Sequence, residues 1–160
     1  LGVRFRSAVI FACCLAACFA AGFVGSAFTE TGPGSWYEQL NRPGITPPGP
    51  VFAVVWNLLY LMMAVSLFLV IRSPYRGRCR LWYLVLFFVQ LLLNALWSVI
   101  FFGMQCIAGA LAELGLLFAA AAVLTALAWR FSRAASVLLW PYLLWLCFAG
   151  FLNWRIWILN

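Results

Sequence analysis

Residues 51–71, VFAVVWNLLYLMMAVSLFLVI, decide the fold class, because this stretch contains no charged side chain. The hydrocarbon core of a bilayer is about 30 Å thick and is crossed by about 20 apolar residues in an α-helix. In the whole chain, 68% of the residues are hydrophobic and 8% are charged, whereas soluble proteins average about 25% charged residues. The sequence therefore predicts an all-α integral membrane protein.

Four further runs of similar length and composition follow the same pattern. The predicted membrane spans are residues 7–28, 51–71, 81–102, 106–129 and 134–159. The first run is too long for the apolar core of a signal peptide and is not closed by an A-x-A cleavage site, so we expect a retained helix. Because the other loops are short, consecutive helices should pack antiparallel. We predict a single domain, residues 1–160, forming a five-transmembrane-helix bundle.

The basic residues are all arginines, and they are distributed unevenly between the two sides of the predicted membrane. The side of the N-terminus carries Arg4, Arg6, Arg72, Arg76, Arg78, Arg80, Arg130 and Arg133, and the other side carries Arg42 and Arg155. We expect the protein in the bacterial cell membrane, where the positive-inside rule places the N-terminus in the cytoplasm. The outer membrane of bacteria and the mitochondrial outer membrane are the alternative locations. The arginines fall in short clusters between apolar runs rather than along one face, which argues against a nucleic-acid partner.

The first loop, residues 29–50, contains five of the seven prolines of the chain. Proline lacks an N–H and fixes φ, so this loop should be stiff, extended and non-helical. With Trp36 and Tyr37 it could form a lid over a cavity. A plain connector between two helices explains the same composition.

Aromatic and amide side chains recur on one face of three predicted helices. These stripes are Trp56, Tyr60 and Met63; Gln90, Asn94, Trp97 and Phe101; and Tyr142, Trp145, Ala149 and Leu152. Polar side chains inside a membrane face the bundle interior or a cavity. A mostly apolar lining with a few hydrogen-bonding groups suits a large flat ligand, although the same groups can also bond helix to helix.

Small residues form a seam along the fourth predicted helix, at Ala108, Ala112, Gly115, Ala119, Ala122 and Ala126. Such a seam lets helix backbones approach closely, either within the subunit or across a dimer, and we favour packing within the subunit. Glu113 on this helix is either a functional intramembrane acid or a protonated side chain packed near the interface.

Common catalytic and metal-binding patterns are missing from the sequence. There is no histidine, and the six cysteines form no CxxC pair. This composition excludes a His-based triad, a His-ligated metal or haem iron, and the three glutamates form no evident pair. No P-loop or dinucleotide fingerprint occurs, and we predict no metal site and no required cofactor.

Four blocks of sequence resemble the translocator protein family, also called tryptophan-rich sensory proteins or peripheral-type benzodiazepine receptors. They are WYEQLNRP (36–43), PPGPVFAVVWNLLY (47–60), QLLLNALWSVIFFG (90–103) and PYLLWLCFAGFLN (141–153). The blocks occur in order and span nearly the whole chain. Where many members of the family carry tryptophan in and just after the Pro-x-x-x-Pro-Pro stretch, this chain has Ile45 and Pro50, which makes the loop less aromatic.

The resemblance implies a five-helix bundle, commonly a homodimer, with a ligand cavity that opens toward the first loop. It implies porphyrin ligands such as protoporphyrin IX and haem, with sterols and benzodiazepine-type drugs as further ligands. Family pocket positions match Tyr60, Asn94, Trp97 and Ala149. Glu113 matches a position where many members carry an acid, which weakens a special role for it here.

We therefore expect a membrane receptor or sensor that binds porphyrins and regulates tetrapyrrole homeostasis, with Gln90, Phe101 and Tyr142 also contacting the ligand. One alternative is an enzyme of light- and oxygen-dependent protoporphyrin IX degradation, because the two family tryptophans tied to that activity match Trp56 and Trp145. Another is a translocator of porphyrin or sterol-like lipid, but the sequence shows no inverted repeat or pair of broken helices.

Overall fold

The computed structural model describes residues 2–160, and these residues fold into helices without a β-strand. The elements are α1 (Gly2–Phe28), α2 (Trp36–Gln39), α3 (Gly49–Arg72), α4 (Arg78–Ser98), α5 (Ile107–Trp129), α6 (Arg133–Val137) and α7 (Trp140–Leu159). Within residues 2–160, five segments are long and apolar enough to cross a membrane. The predicted fold class, an all-α five-helix membrane bundle, is confirmed.

The five long helices form a ring in which α1 packs against α3 and α4, and α5 packs between α4 and α7. The short helix α6 closes the ring by contacting α3. Fully buried side chains such as Leu67, Phe87 and Leu124 fill the half of the bundle nearest the arginine-rich loops. At this end the Arg72 Nη1 atom donates a 2.6 Å hydrogen bond to Ser7 Oγ, which joins α3 to α1.

The fifth predicted span, 134–159, is not one continuous helix. It consists of α6 and α7, separated by a turn at Leu138 and Leu139. Pro141 explains the break, because proline has no N–H to donate and its ring clashes with the carbonyl of residue i−4 in a helix interior. In the structure Pro141 lies in the first turn of α7, where a missing N–H costs nothing.

The C-terminal end of α4 widens into a π-helical turn, Val99–Gly103. The N–H of Met104 donates to the carbonyl of Val99 at 2.8 Å, which is the i to i+5 spacing of a π-helix. Gln105 then takes a positive φ of 53°, and the chain enters α5. Phe101, inside this turn, is 1% exposed.

The first loop is not wholly extended, so the prediction of a non-helical segment over 29–50 is wrong. Its tip forms the one-turn helix α2, which Ser35 caps by accepting a 3.3 Å hydrogen bond from the N–H of Glu38. The Glu38 carboxylate reaches back and accepts a 2.6 Å hydrogen bond from the N–H of Gly34. The sequence Ser35-x-x-Glu38 is a capping-box pattern, and it outweighs the surrounding prolines.

The small-residue seam of α5 faces outward, so our interpretation of it as a packing face within the subunit is wrong. Ala108, Ala112, Gly115, Ala119 and Ala126 are exposed, and Ala122 is half-buried. The helix packs instead through larger buried residues of the opposite face, among them Leu114, Leu117 and Leu124. In a membrane both faces of a helix are apolar, so residue size alone does not identify the inner one.

Candidate ligand-binding cavity

A cavity of about 1170 Å³ occupies the half of the bundle that lies beneath the first loop. Small-molecule sites usually measure about 300–1,000 Å³, so this cavity has room for a large ligand. Residues of all five long helices line it, and the loop around residues 40–48 forms its mouth. The cavity exists because the helices are closely packed only toward the arginine-rich end.

Most of the ligand-contacting residues predicted from the sequence lie together in the cavity wall. These are Trp56, Tyr60, Asn94, Trp97, Phe101, Trp145 and Ala149. Gln90 and Tyr142 are fully buried behind the wall and do not line the cavity. The helical stripes therefore identified the inner face of each helix but not the depth at which the cavity ends.

Aromatic rings form two stacked pairs in the wall. The Trp56 and Tyr60 rings on α3 have centroids 5.5 Å apart with planes inclined by 28°. Trp97 of α4 and Phe101 of the π-helical turn are 5.0 Å apart and inclined by 20°. Offset stacks of this kind present flat apolar faces, which a planar ligand can extend by further stacking.

The Trp145 ring provides a third aromatic surface, on α7. It meets Phe52 of α3 edge-on, with the centroids 5.5 Å apart. Trp145 also borders a smaller groove of about 350 Å³ on the outer surface, between Leu58 and Leu144. The side chain thus separates the cavity from the surface between α3 and α7.

A chain of buried hydrogen bonds connects the cavity wall to the core. The Tyr60 hydroxyl donates to Asn94 Oδ1 at 2.6 Å, and Asn94 Nδ2 donates to the Tyr142 hydroxyl at 3.2 Å. The Tyr142 hydroxyl in turn donates to Gln90 Oε1 at 2.9 Å. Since each buried polar group is satisfied by the next, the chain fixes the relative positions of α3, α4 and α7 around the cavity.

The mouth of the cavity is formed by the loop that we considered as a lid. Tyr37 lines the cavity, and its ring packs against Phe102, with the centroids 5.4 Å apart. Trp36 does not line it and instead packs edge-on against Phe101 at 5.7 Å. Ile45, at the position that is often tryptophan in the family that the chain resembles, is 58% exposed and also lies outside the wall.

Sequence reasoning missed the contribution of α1, which supplies Phe19, Gly22 and Phe23 to the wall. At Gly22 the backbone of α1 lies directly against the Tyr60 ring, so that an added Cβ would collide with it. Other small residues, Ala17, Ala21 and Gly25, lie on the same helix; such residues are typical of a closely packed helix face, but they do not indicate the aromatic partner. Arg42, which we interpreted only as a topology signal, also lines the cavity.

Some buried polar groups near the cavity have no hydrogen-bond partner among residues 2–160. They include the indole nitrogens of Trp97 and Trp145 and both carboxylate oxygens of Glu113. Glu113 is 6% exposed and does not line the cavity. Within the same residues, no group of three His, Cys, Asp or Glu side chains could hold a metal ion.

The sequence matches a known protein family over most of its length. A sequence profile of the TspO/MBR family matches residues 14–158. This chain belongs to the TspO/MBR family. The resemblance of the four sequence blocks is thereby confirmed, and the chain is a multi-pass membrane protein of that family.

Proteins similar to this chain occur in bacteria, in an archaeon and in animals. The tryptophan-rich protein TspO of Chlorobaculum tepidum is 43% identical over 151 residues, which cover 93% of this chain and 94% of that protein. The protein CrtK of Rhodobacter capsulatus is 34% identical over 154 residues, covering 96% and 94%. The translocator protein of Bos taurus is 37% identical over 138 residues, covering 85% and 81%.

Proposed function

We propose that this TspO/MBR protein binds a flat hydrophobic ligand, a tetrapyrrole such as protoporphyrin IX or haem, in the cavity between its helices. The observation that carries the proposal is the aromatic wall, in which Trp56, Trp97 and Trp145 reach one cavity from three different helices. A macrocycle offers two large apolar faces, and these match aromatic surfaces on several sides.

The role that fits such a cavity is that of a membrane receptor or sensor in tetrapyrrole homeostasis. The hydrogen-bond chain from Tyr60 through Asn94 to Tyr142 ties three helices to the wall, so a ligand that shifts the Tyr60 ring would shift the contacts between helices. A relative from Cereibacter sphaeroides, 36% identical over 151 residues, is named a tryptophan-rich sensory protein. We further propose that the protein lies in a bacterial cell membrane, which its bacterial relatives support, and that it forms a homodimer, as the family resemblance implies.

A second candidate function is the light- and oxygen-dependent degradation of protoporphyrin IX. It is favoured by the location of Trp56 and Trp145, because both line the same cavity and would lie beside the bound macrocycle. Excited protoporphyrin and dioxygen would supply the oxidising power, and the oxidisable indole rings would mediate the reaction. A translocator role for porphyrin or sterol-like lipid rests on the name of the animal relatives.

One experiment tests binding and separates the first two functions. Purified protein is titrated with protoporphyrin IX in the dark, and the Soret band is followed relative to detergent alone. A saturable shift supports the cavity proposal, whereas a spectrum identical to that in detergent contradicts it. Illumination in air then decides between the roles, because a stable band indicates a binder, and bleaching faster than in the detergent control indicates an enzyme.

A further inference from the structure

Among the described residues that line the cavity, Arg42 is the one with a formal charge. It lies in the loop at the mouth, next to Asn41 and near Thr46, which also line the cavity. The helical walls of the same cavity carry Trp56, Trp97 and Trp145. The lining is therefore amphipathic, with a cation on the loop at the mouth and aromatic rings on the helices.

The structure holds Arg42 at this entrance from two directions. Its guanidinium lies over the ring of Tyr37, 4.8 Å from the centroid, a distance at which cation–π attraction acts. The preceding residue, Asn41, is pinned to the end of α7, because its N–H donates to Asn160 Oδ1 at 2.9 Å and its carbonyl accepts from Asn160 Nδ2 at 3.0 Å. Contacts with Asn160 therefore fix the backbone beside Arg42, and the Tyr37 ring fixes its guanidinium at the mouth of the cavity.

The N–H donors of the Arg42 guanidinium are available to a ligand. Among the described residues, its one partner is the Tyr37 ring. The nearest glutamate in sequence, Glu38, accepts from the N–H of Gly34 instead. A guanidinium carries five N–H donors in a planar fork that matches a carboxylate, so an acidic ligand group at the mouth would find these donors available.

Membrane topology does not account for this arginine. The positive-inside bias collects eight arginines on the opposite side of the predicted membrane and leaves two, Arg42 and Arg155, on this one. A charge on the arginine-poor side works against the bias and needs another reason. Arg155 is not part of the cavity lining, which makes it a natural comparison.

We propose that Arg42 is an anion-recognition residue, which selects flat ligands carrying a carboxylate at one edge and orients that edge toward the mouth. This inference rests on the proposed function and specifies the chemical class of its ligand. The apolar body of the ligand would stack against the tryptophans, while the carboxylate pairs with the guanidinium at the border with water. A neutral ligand of the same shape would keep the first interaction and lose the second.

The test compares protoporphyrin IX, which carries two carboxylates, with its uncharged dimethyl ester. Both are titrated by Soret absorbance into the wild-type protein, Arg42→Gln, Arg42→Lys and the control Arg155→Gln. We expect Arg42→Gln to weaken binding of the acid about three- to tenfold. A loss of this size lies between the contribution of an exposed ion pair and that of a charge-assisted hydrogen bond. Binding of the ester should not change, Arg42→Lys should retain part of the preference, and Arg155→Gln should resemble the wild type.

The outcomes separate this inference from the cavity proposal. If acid and ester bind the wild type equally, or if Arg42→Gln weakens both alike, anion recognition by Arg42 is wrong while the cavity still binds the macrocycle. If neither compound binds the wild type, both proposals are wrong. Thermal unfolding of each variant shows whether an effect on binding comes from loss of the fold. Raising the salt concentration should reduce the preference for the acid in the wild type, in Arg155→Gln and in Arg42→Lys, which keep a cation at position 42, and should have no such effect in Arg42→Gln.

Discussion

Replacing Gly22 by alanine should disturb the contact between α1 and the Tyr60 ring, which forms part of the cavity wall. The backbone of α1 lies against the edge of the Tyr60 ring at this position, so a methyl group cannot be added without displacing the ring or the helix. The ring has little freedom to move, because it stacks on Trp56 and its hydroxyl is bonded to Asn94 at 2.6 Å. Any displacement therefore stretches the hydrogen-bond chain or opens the contact between α1 and α3.

The expected size follows from two opposing terms. Alanine is preferred over glycine in a helix interior by about 1 kcal/mol, whereas overpacking a close contact costs about 1–3 kcal/mol. The net effect of Gly22→Ala is a decrease in the free energy of unfolding of up to about 2 kcal/mol, which for a chain of this size lowers Tm by up to about 8 °C. Relative to an alanine substitution at a helical glycine without a close neighbour, Gly22→Ala should be less stable by about 1–3 kcal/mol, the overpacking term alone.

Gly115→Ala provides the matched control, because Gly115 lies in the interior of α5 and no neighbouring residue in the described part of the chain comes within 4 Å of the position of an added Cβ. Both variants are purified in one detergent and compared by thermal unfolding and by protoporphyrin IX titration. Gly115→Ala should be as stable as the wild type or slightly more stable. Equal stability and equal affinity for Gly22→Ala and Gly115→Ala would refute the close contact between α1 and Tyr60.

Three further predictions concern the hydrogen-bond chain, the topology and the oligomer. Asn94→Leu should lower the free energy of unfolding by about 1–3 kcal/mol in thermal or denaturant unfolding, because the buried Tyr60 hydroxyl loses its acceptor; unchanged stability would contradict the chain. In a Cys106→Ser background, a membrane-impermeant thiol reagent should fail to label the exposed Cys79 from outside intact cells, and efficient labelling would reverse the orientation. Ala119→Leu on the outward seam should weaken dimer crosslinking without loss of folding, whereas unchanged crosslinking would exclude the seam from the dimer.

The helices were predictable because apolar length alone determines whether a segment can cross a bilayer. The local exceptions arise from short-range chemistry. Pro141 divides the fifth span, and the Ser35–Glu38 capping box forms α2 within the proline-rich loop. Both signals were present in the sequence, whereas the π-helical turn at Val99–Gly103 has no comparable local signal.

Helical periodicity predicted which face of each helix points toward the cavity. It did not predict how far along the membrane normal the cavity extends. Gln90 and Tyr142 share their stripes with wall residues but lie deeper, where the core is closed. Gly22 and Arg42 were missed for a different reason. Their roles depend on which residues from other parts of the chain lie beside them, Tyr60 for the first and Tyr37 for the second, and helical spacing carries no information about such contacts.

The most direct test of a cavity lined by tryptophans is the affinity of Trp56→Ala and Trp145→Ala for protoporphyrin IX, with Trp157→Ala as the control. Trp157 lies on the same helix as Trp145, is 51% exposed and does not line the cavity. Binding is followed by the Soret absorbance of the ligand, so the number of tryptophans does not affect the signal. Loss of an aromatic contact of about 1.4 kcal/mol weakens binding tenfold. We predict roughly tenfold weaker binding for Trp56→Ala and for Trp145→Ala. Binding should be near normal for Trp145→Phe and equal to the wild type for Trp157→Ala. Wild-type affinity in both Trp56→Ala and Trp145→Ala would contradict binding in this cavity.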